Sequence, residues 1–287
     1  MSDTTGYMPQ PSKPRLWLPE GACDCHTHVF GPQSTFPYAE NALFRPQDAP
    51  KEALFALHKH LGIDRCVIVQ SGCHGFDNSA MLDAMRSRPG QYLGVALAPV
   101  DISDAHLASL AEQGVRGVRF NFMPHLDAAA SPEEIVAFSH RLARHGMHLQ
   151  VHMHHTLIER IGQQLSHAST AVVIDHMGRI DAAQGSDQDA FNALMTLMEN
   201  DKFLVKVSGC DRASALGSPY SDAVPFAQTL VKNFPDRVLW GTDWPHPNIK
   251  GGTPDDGVLV DILESIAPDP LHRKALLVDN PAWFYGF

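Results

Sequence analysis

Short apolar runs of β-forming residues alternate with amphipathic helical stretches along almost the whole chain, and that alternation leaves few folds open. The runs are GACDCH (21–26), RCVIVQ (65–70), YLGVALAPV (92–100), GVRGVRFNF (114–122), GMHLQVHM (146–153), TAVVIDH (170–176), KFLVKVSG (202–209) and RVLWGTDW (237–244). Helical patterns fill 51–62, 78–90, 104–114, 131–146, 157–167, 187–200, 221–235 and 268–286. Ser131 precedes Pro132 with Glu134 three residues on, which is a helix start. Gly62, Gly90, Gly114 and Gly146 stand where helices should stop.

Brief buried-type strands separated by helices imply βα units and a parallel sheet. Eight such units predict the α/β class and a closed (β/α)8 TIM barrel. A doubly wound open sheet is the competing fold, but it usually has fewer units and a glycine-rich loop after its first strand, which is missing here. We therefore assign 1–20 as a polar, proline-rich leader and 21–287 as one barrel domain. The connection over about 29–50 is long and is expected to cover the barrel mouth.

A net charge of −10 argues against a wide nucleic-acid-binding surface. No apolar stretch is long enough to span a membrane, and the leader has no signal-peptide pattern. Five scattered cysteines, an odd number, read as reduced thiols in a cytoplasmic protein. An anionic small molecule remains compatible, because a few local arginines overcome the net charge inside a pocket. Nothing in the sequence sets an oligomeric state.

Chemistry in such a barrel sits at the C-terminal ends of the strands. Ligand-type residues collect there: His26 and His28 on strand one, Ser71, Cys73 and His74 after strand two, Arg119 and Asn121 on strand four. His152 and His154 end strand five and His176 ends strand six. Cys210, Asp211 and Arg212 follow strand seven, and Asp243 ends strand eight. His26 and His28 lie two residues apart, so both imidazoles can turn to one ion while Thr27 points away. Neutral imidazoles with a carboxylate suit a divalent metal, zinc before manganese, which makes water more acidic. Cys23 and Cys25, deeper in the strand, are expected to fill the barrel.

The motifs DCHTHVFGP, VIVQSGCHGFDN, RGVRFNF, VIDHMGR and WGTDWPHPN resemble the amidohydrolase superfamily, and within it the 2-pyrone-4,6-dicarboxylate lactonase group. The similarity runs from about Gly21 to the C-terminus. It implies hydrolysis of a small anionic lactone, of the pyrone-dicarboxylate or muconolactone and sulfomuconolactone type, in aromatic catabolism. By the same resemblance Asp243 is the general base and His176 polarises or orients the reacting centre. His26 and His28 hold the metal or, in members that work without one, the substrate carbonyl. Arg119 and Arg212 match arginines that grip a substrate carboxylate, with Asn121 and Asn248 placed beside them as substrate contacts.

Two departures from the group stand out. Pro124 and His125 occupy the place of a further basic residue after strand four, and His152 stands where the group has a tyrosine. Histidine does not replace a guanidinium clamp. His152 restores a strand-five metal ligand, giving a ligand set of His26, His28, His152 and Asp243, with His154 as the competing choice on the same strand. Both metal-dependent and metal-free hydrolysis stay open. A metal-dependent decarboxylase of an aromatic acid is the alternative activity. A cysteine nucleophile at Cys73 or Cys210 is disfavoured, because a thiol needs a base within reach.

Overall fold

The computed structural model describes residues 6–123, 130–249 and 252–287; Pro124 and His125 fall outside the described residues. Eight parallel strands follow one another in chain order: β1 (Cys23–Thr27), β2 (Arg65–Val69), β3 (Tyr92–Ala96), β4 (Val115–Phe122), β5 (His148–Met153), β6 (Val172–Ile174), β7 (Phe203–Lys206) and β8 (Val238–Leu239). Three backbone bonds join β8 and the turn after it to β1: Cys25 N–H to Trp240 O at 2.8 Å, Asp243 N–H to His26 O at 2.8 Å and His28 N–H to Trp244 O at 2.7 Å. The expected (β/α)8 barrel is therefore closed.

The connecting helices are α1 (Lys51–Leu61), α2 (Ser79–Arg86), α3 (Asp104–Glu112), α4 (Pro132–Arg144), α5 (Ile158–Leu165) and α6 (Asp189–Met198). A one-turn α7 (Cys210–Ala213) and α8 (Val224–Asn233) come next, then α9 (Asp256–Asp261), α10 (Leu263–Ile266), α11 (Pro270–Lys274) and α12 (Asn280–Tyr285). The Ser131–Glu134 capping box is formed in both directions, and Gly62 ends α1 in the left-handed conformation, φ 80°. The helix expected over 268–286 is interrupted by a wide π turn at Ala275–Asp279, just ahead of Pro281. Proline lacks the N–H that would continue the helical ladder there. Among the described residues no helix is long and apolar enough to cross a membrane. Within the leader, Arg15 pairs with Asp261 at 3.0 Å and Tyr7 packs on Trp244 at 4.8 Å between ring centres.

Strict alternation cannot turn Cys23 and Cys25 inward together with His26 and His28, because the pairs differ in parity. A bulge resolves this. Asp24 pairs with Cys66 and Thr27 with Ile68, so three steps along β1 answer two along β2. Below the bulge, Cys23 and Cys25 pack inside the barrel with Val67, Val69, Leu93, Val95, Val173, Leu204 and Leu239, over Tyr285 from α12. Above it, the two histidines turn to the mouth. Asp24 faces the helices and anchors the seam, taking bonds from Thr242 N–H at 3.0 Å, Thr242 Oγ1 at 2.6 Å and His26 N–H at 3.1 Å. Gly241 permits this approach, since a Cβ there would lie 2.5 Å from the His26 nitrogen.

His148 is buried at the start of β5, and burial followed by the nearby Lys206 charge pushes its pKa down to about 3. His26 is pushed down to about 4 by the same two effects. Both rings stay neutral in the fold and take up a proton on unfolding once the pH drops below the ordinary histidine value. Their folded pKa values are depressed, so their contribution is full above about pH 6.5 and is lost as the pH falls, by about 1.4 kcal/mol per unit for each. Urea denaturation should therefore show a lower midpoint at pH 5.0 than at pH 6.5. Equal midpoints would contradict the two neutral buried rings.

Candidate active site

Asp243 sits at the C-terminal rim with a positive φ of 62°, in the left-handed region. Its Oδ1 lies 3.1 Å from His28 Nε2 and 3.7 Å from His26 Nε2, and its Oδ2 lies 3.7 Å from His176 Nε2. Arg212 Nε donates to Oδ2. Burial works to raise the Asp243 pKa, but Arg212 above all, helped by His176 and the His28 bond, holds it well below the usual carboxylate range. His176 is kept neutral by burial, assisted by His26 and Arg212, and its Nδ1 meets Ser208 Oγ at 3.0 Å. It is held by an unusual turn: His176, Met177, Gly178 and Arg179 all have φ between 49° and 64°. Three non-glycine residues in that region cost of order 1–2 kcal/mol each, strain of the kind that gathers at functional sites.

One ligand atom from each of His26, His28 and Asp243 lies within 4.8 Å of the others. His28 Nδ1 donates to Val69 O at 2.7 Å, which turns Nε2 to the Asp243 oxygen at 3.1 Å. Two lone pairs at that separation require a cation or a proton between them. The His26 Nε2 atom is buried and has no hydrogen-bond partner. The donor types, the carbonyl behind His28 and the shared focus fit a divalent ion. His152 stands apart from this group of three. Its Nδ1 meets Asn121 Oδ1 at 3.3 Å, and its ring centre is 5.9 Å from that of His176. His154 turns its Nδ1 to Thr156 Oγ1 at 3.0 Å.

Arginines line the anionic centre. Besides Asp243, Arg212 reaches Pro247 O at 3.1 Å. Arg119 donates to Gln70 O at 2.7 Å and lies 3.7 Å from Asp175, while its buried Nε has no partner. Arg179 feels both Arg212 and Asp243, and burial followed by Arg212 brings its pKa down to about 10. Asn248 lies aside, on the wall of a cavity of about 200 Å³ shared with Phe30, Phe44, Arg45 and His246, between the loop after β1 and the loop after β8. The five cysteines are all buried and free. Burial pushes the Cys73 thiol up to about 12 and raises that of Cys210 as well, so neither offers a thiolate.

Beneath the rim lies a polar layer that the strand pattern does not reveal. Lys206 is fully buried at the end of β7 and contacts His26 Nδ1 at 3.1 Å, Gln150 Oε1 at 3.0 Å and Asp175 Oδ1 at 3.4 Å. Gln150 Nε2 donates to Asp175 Oδ2 at 3.1 Å. The signal for this layer was present in KFLVKV and LQVHM, where a polar residue interrupts a fully apolar run. Arg179 could have been found from the VIDHMGR motif.

The sequence pattern of the amidohydrolase family matches residues 23–287. A 2-pyrone-4,6-dicarboxylate hydrolase from Comamonas testosteroni is 45% identical over 284 residues, covering 96% of this chain and 93% of the relative. A 4-sulfomuconolactone hydrolase from Rhizobium radiobacter is 39% identical over 272 residues, covering 94% and 91%. A solved structure from Pseudomonas putida, itself proposed to be a 2-pyrone-4,6-dicarboxylic acid hydrolase, superposes with a TM-score of 0.80 at 32% identity, covering 94% of this chain and 98% of that one.

Proposed function

Because this chain belongs to the amidohydrolase family, we propose that it is a hydrolase that opens a carboxylated lactone of the pyrone-dicarboxylate or sulfomuconolactone type. The observation that carries this reading is the setting of Asp243: an ionised, buried carboxylate at the focus of three histidines, with Arg119, Arg179 and Arg212 around it. Such a site attracts an anionic substrate and supplies a base for water.

In this reading Arg119, through its unpartnered Nε, and Arg212 grip the substrate carboxylate, and Arg179 adds to the positive field. The lactone carbonyl points to His26 and His176. Asp243 accepts a proton from water as its oxygen adds to the carbonyl carbon. The ring C–O bond then breaks, and the same proton passes from Asp243 to the departing ring oxygen. The new carboxylate appears with one proton released at neutral pH. A divalent ion, zinc or manganese, would be held by His26, His28 and Asp243, and when bound it would supply Lewis acidity and make water more acidic.

The test offers the purified protein 2-pyrone-4,6-dicarboxylate and 4-sulfomuconolactone and follows ring opening by absorbance alongside CO₂ release. Loss of lactone without CO₂ supports the proposal. CO₂ release from an aromatic acid, with both lactones untouched, would instead assign a decarboxylase.

A further inference from the structure

The lysine below the site bears directly on what His26 can do. Lys206 is the last residue of β7, its side chain is fully buried, and it points inward toward His26. An ammonium has three N–H donors and no acceptor. Here the three donors face three acceptors: Gln150 Oε1 at 3.0 Å, Asp175 Oδ1 at 3.4 Å and His26 Nδ1 at 3.1 Å. Gln150 is not free to rotate, because its amide nitrogen is bonded to Asp175 Oδ2. Arg119 faces the same layer at 3.7 Å from Asp175 Oδ2.

The ring nitrogen of His26 therefore lies between two competing neighbours. Asp175 Oδ1 is 3.2 Å away and would accept a proton from Nδ1, while Lys206 Nζ is 3.1 Å away and would donate one to it. If Nδ1 carried the proton, its N–H would confront the ammonium N–H of Lys206 across 3.1 Å. A buried unpaired N–H of a charged group is costly. When Nδ1 accepts instead, the proton of the neutral ring lies on Nε2, the atom that is buried, unpartnered and 3.7 Å from Asp243 Oδ1. His28 is the opposite case: its Nδ1–H is fixed on Val69 O.

We propose that Lys206 is a positioning residue that commits His26 to the Nε2–H tautomer, making His26 a hydrogen-bond donor to the substrate carbonyl and a poor ion ligand. Zinc at the shared focus of His26, His28 and Asp243 is thereby held more weakly than the donor types alone would give. The inference deepens the hydrolase reading and rests on it for the identity of the carbonyl. Neither of its two readouts is an activity.

The first readout is ¹⁵N NMR of the wild-type protein freed of metal, with the His26 signals identified by their loss in His26→Gln. The expected pattern is a protonated Nε2 and an unprotonated Nδ1. A protonated Nδ1 would overturn the proposal, and this measurement depends on no change to Lys206. The second is titration of metal-free protein with zinc alone, in competition with a chromophoric chelator. Lys206→Met removes the donor at similar volume and lets Nδ1–H turn to Asp175, so zinc should bind roughly 10–100-fold tighter than to wild type. The ¹⁵N pattern of the variant should switch to Nδ1–H. Zinc affinity equal to that of wild type would overturn the proposal, and so would tighter binding with the tautomer unchanged, which would mark Lys206 as a bare charge. If wild type opens no lactone, the hydrolase reading fails, while these readouts still decide the role of Lys206.

Discussion

Asp243→Asn should lower the turnover of lactone ring opening by about 10²–10⁴-fold, the range lost with a general base. Asparagine keeps the shape of the side chain and its reach toward His28, but it cannot accept the proton of water at neutral pH. The change has a second effect. Arg212 loses the carboxylate it donates to and is left as a buried guanidinium without its counter-charge. Breaking a buried pair from one side typically costs about 3–5 kcal/mol, so the melting temperature should fall together with the rate. Rate measurements on the folded fraction, with melting followed by circular dichroism, separate the two. A variant that turns over as fast as wild type would remove Asp243 from the chemistry.

Arg212→Met should reduce kcat/KM for an anionic lactone by roughly two to three orders of magnitude, in line with about 2–5 kcal/mol for truncating one member of a buried charge pair. The side chain has two tasks in this account, holding the substrate carboxylate and holding Asp243 ionised. Loss of the first raises KM. The second is visible in the pH profile. Arg212 is the strongest influence depressing the Asp243 pKa, so its removal moves that pKa upward. Activity that needs the carboxylate ionised is present above its pKa and lost below it, so the acid limb of the profile should move to higher pH in the variant. An unchanged acid limb with only a raised KM would leave Arg212 as a substrate clamp alone.

The barrel was readable because each βα unit writes its own local pattern. Eight apolar runs and their helices need no knowledge of distant contacts, and rim chemistry at strand ends follows from the architecture. What escaped depends on contacts between distant segments or on backbone irregularity. The bulge in β1 adds one residue to a five-residue strand, and it changes which face Cys25 and His26 share without altering the apolar pattern. Arg212 stands next to Asp211 in sequence, yet its partner is Asp243, 31 residues away. Lys206 looks like a solvent-facing break in KFLVKV until β1, β5 and β6 close around it. His152 has the residue type and the strand end expected of an ion ligand, but the structure turns its Nδ1 to Asn121 and keeps the ring outside the His26, His28 and Asp243 group. The left-handed turn at His176–Arg179 likewise follows from no residue preference, since only one of its four members is glycine.

In this hydrolysis water adds to a lactone carbonyl and its oxygen stays in the product. Turnover of 2-pyrone-4,6-dicarboxylate in H₂¹⁸O, with the product analysed by mass spectrometry, tests this directly. The expected result is one ¹⁸O in the newly formed carboxylate per molecule opened and no release of CO₂. A product that carries no ¹⁸O, as an isomerisation would give, or a stoichiometric yield of CO₂, would contradict it.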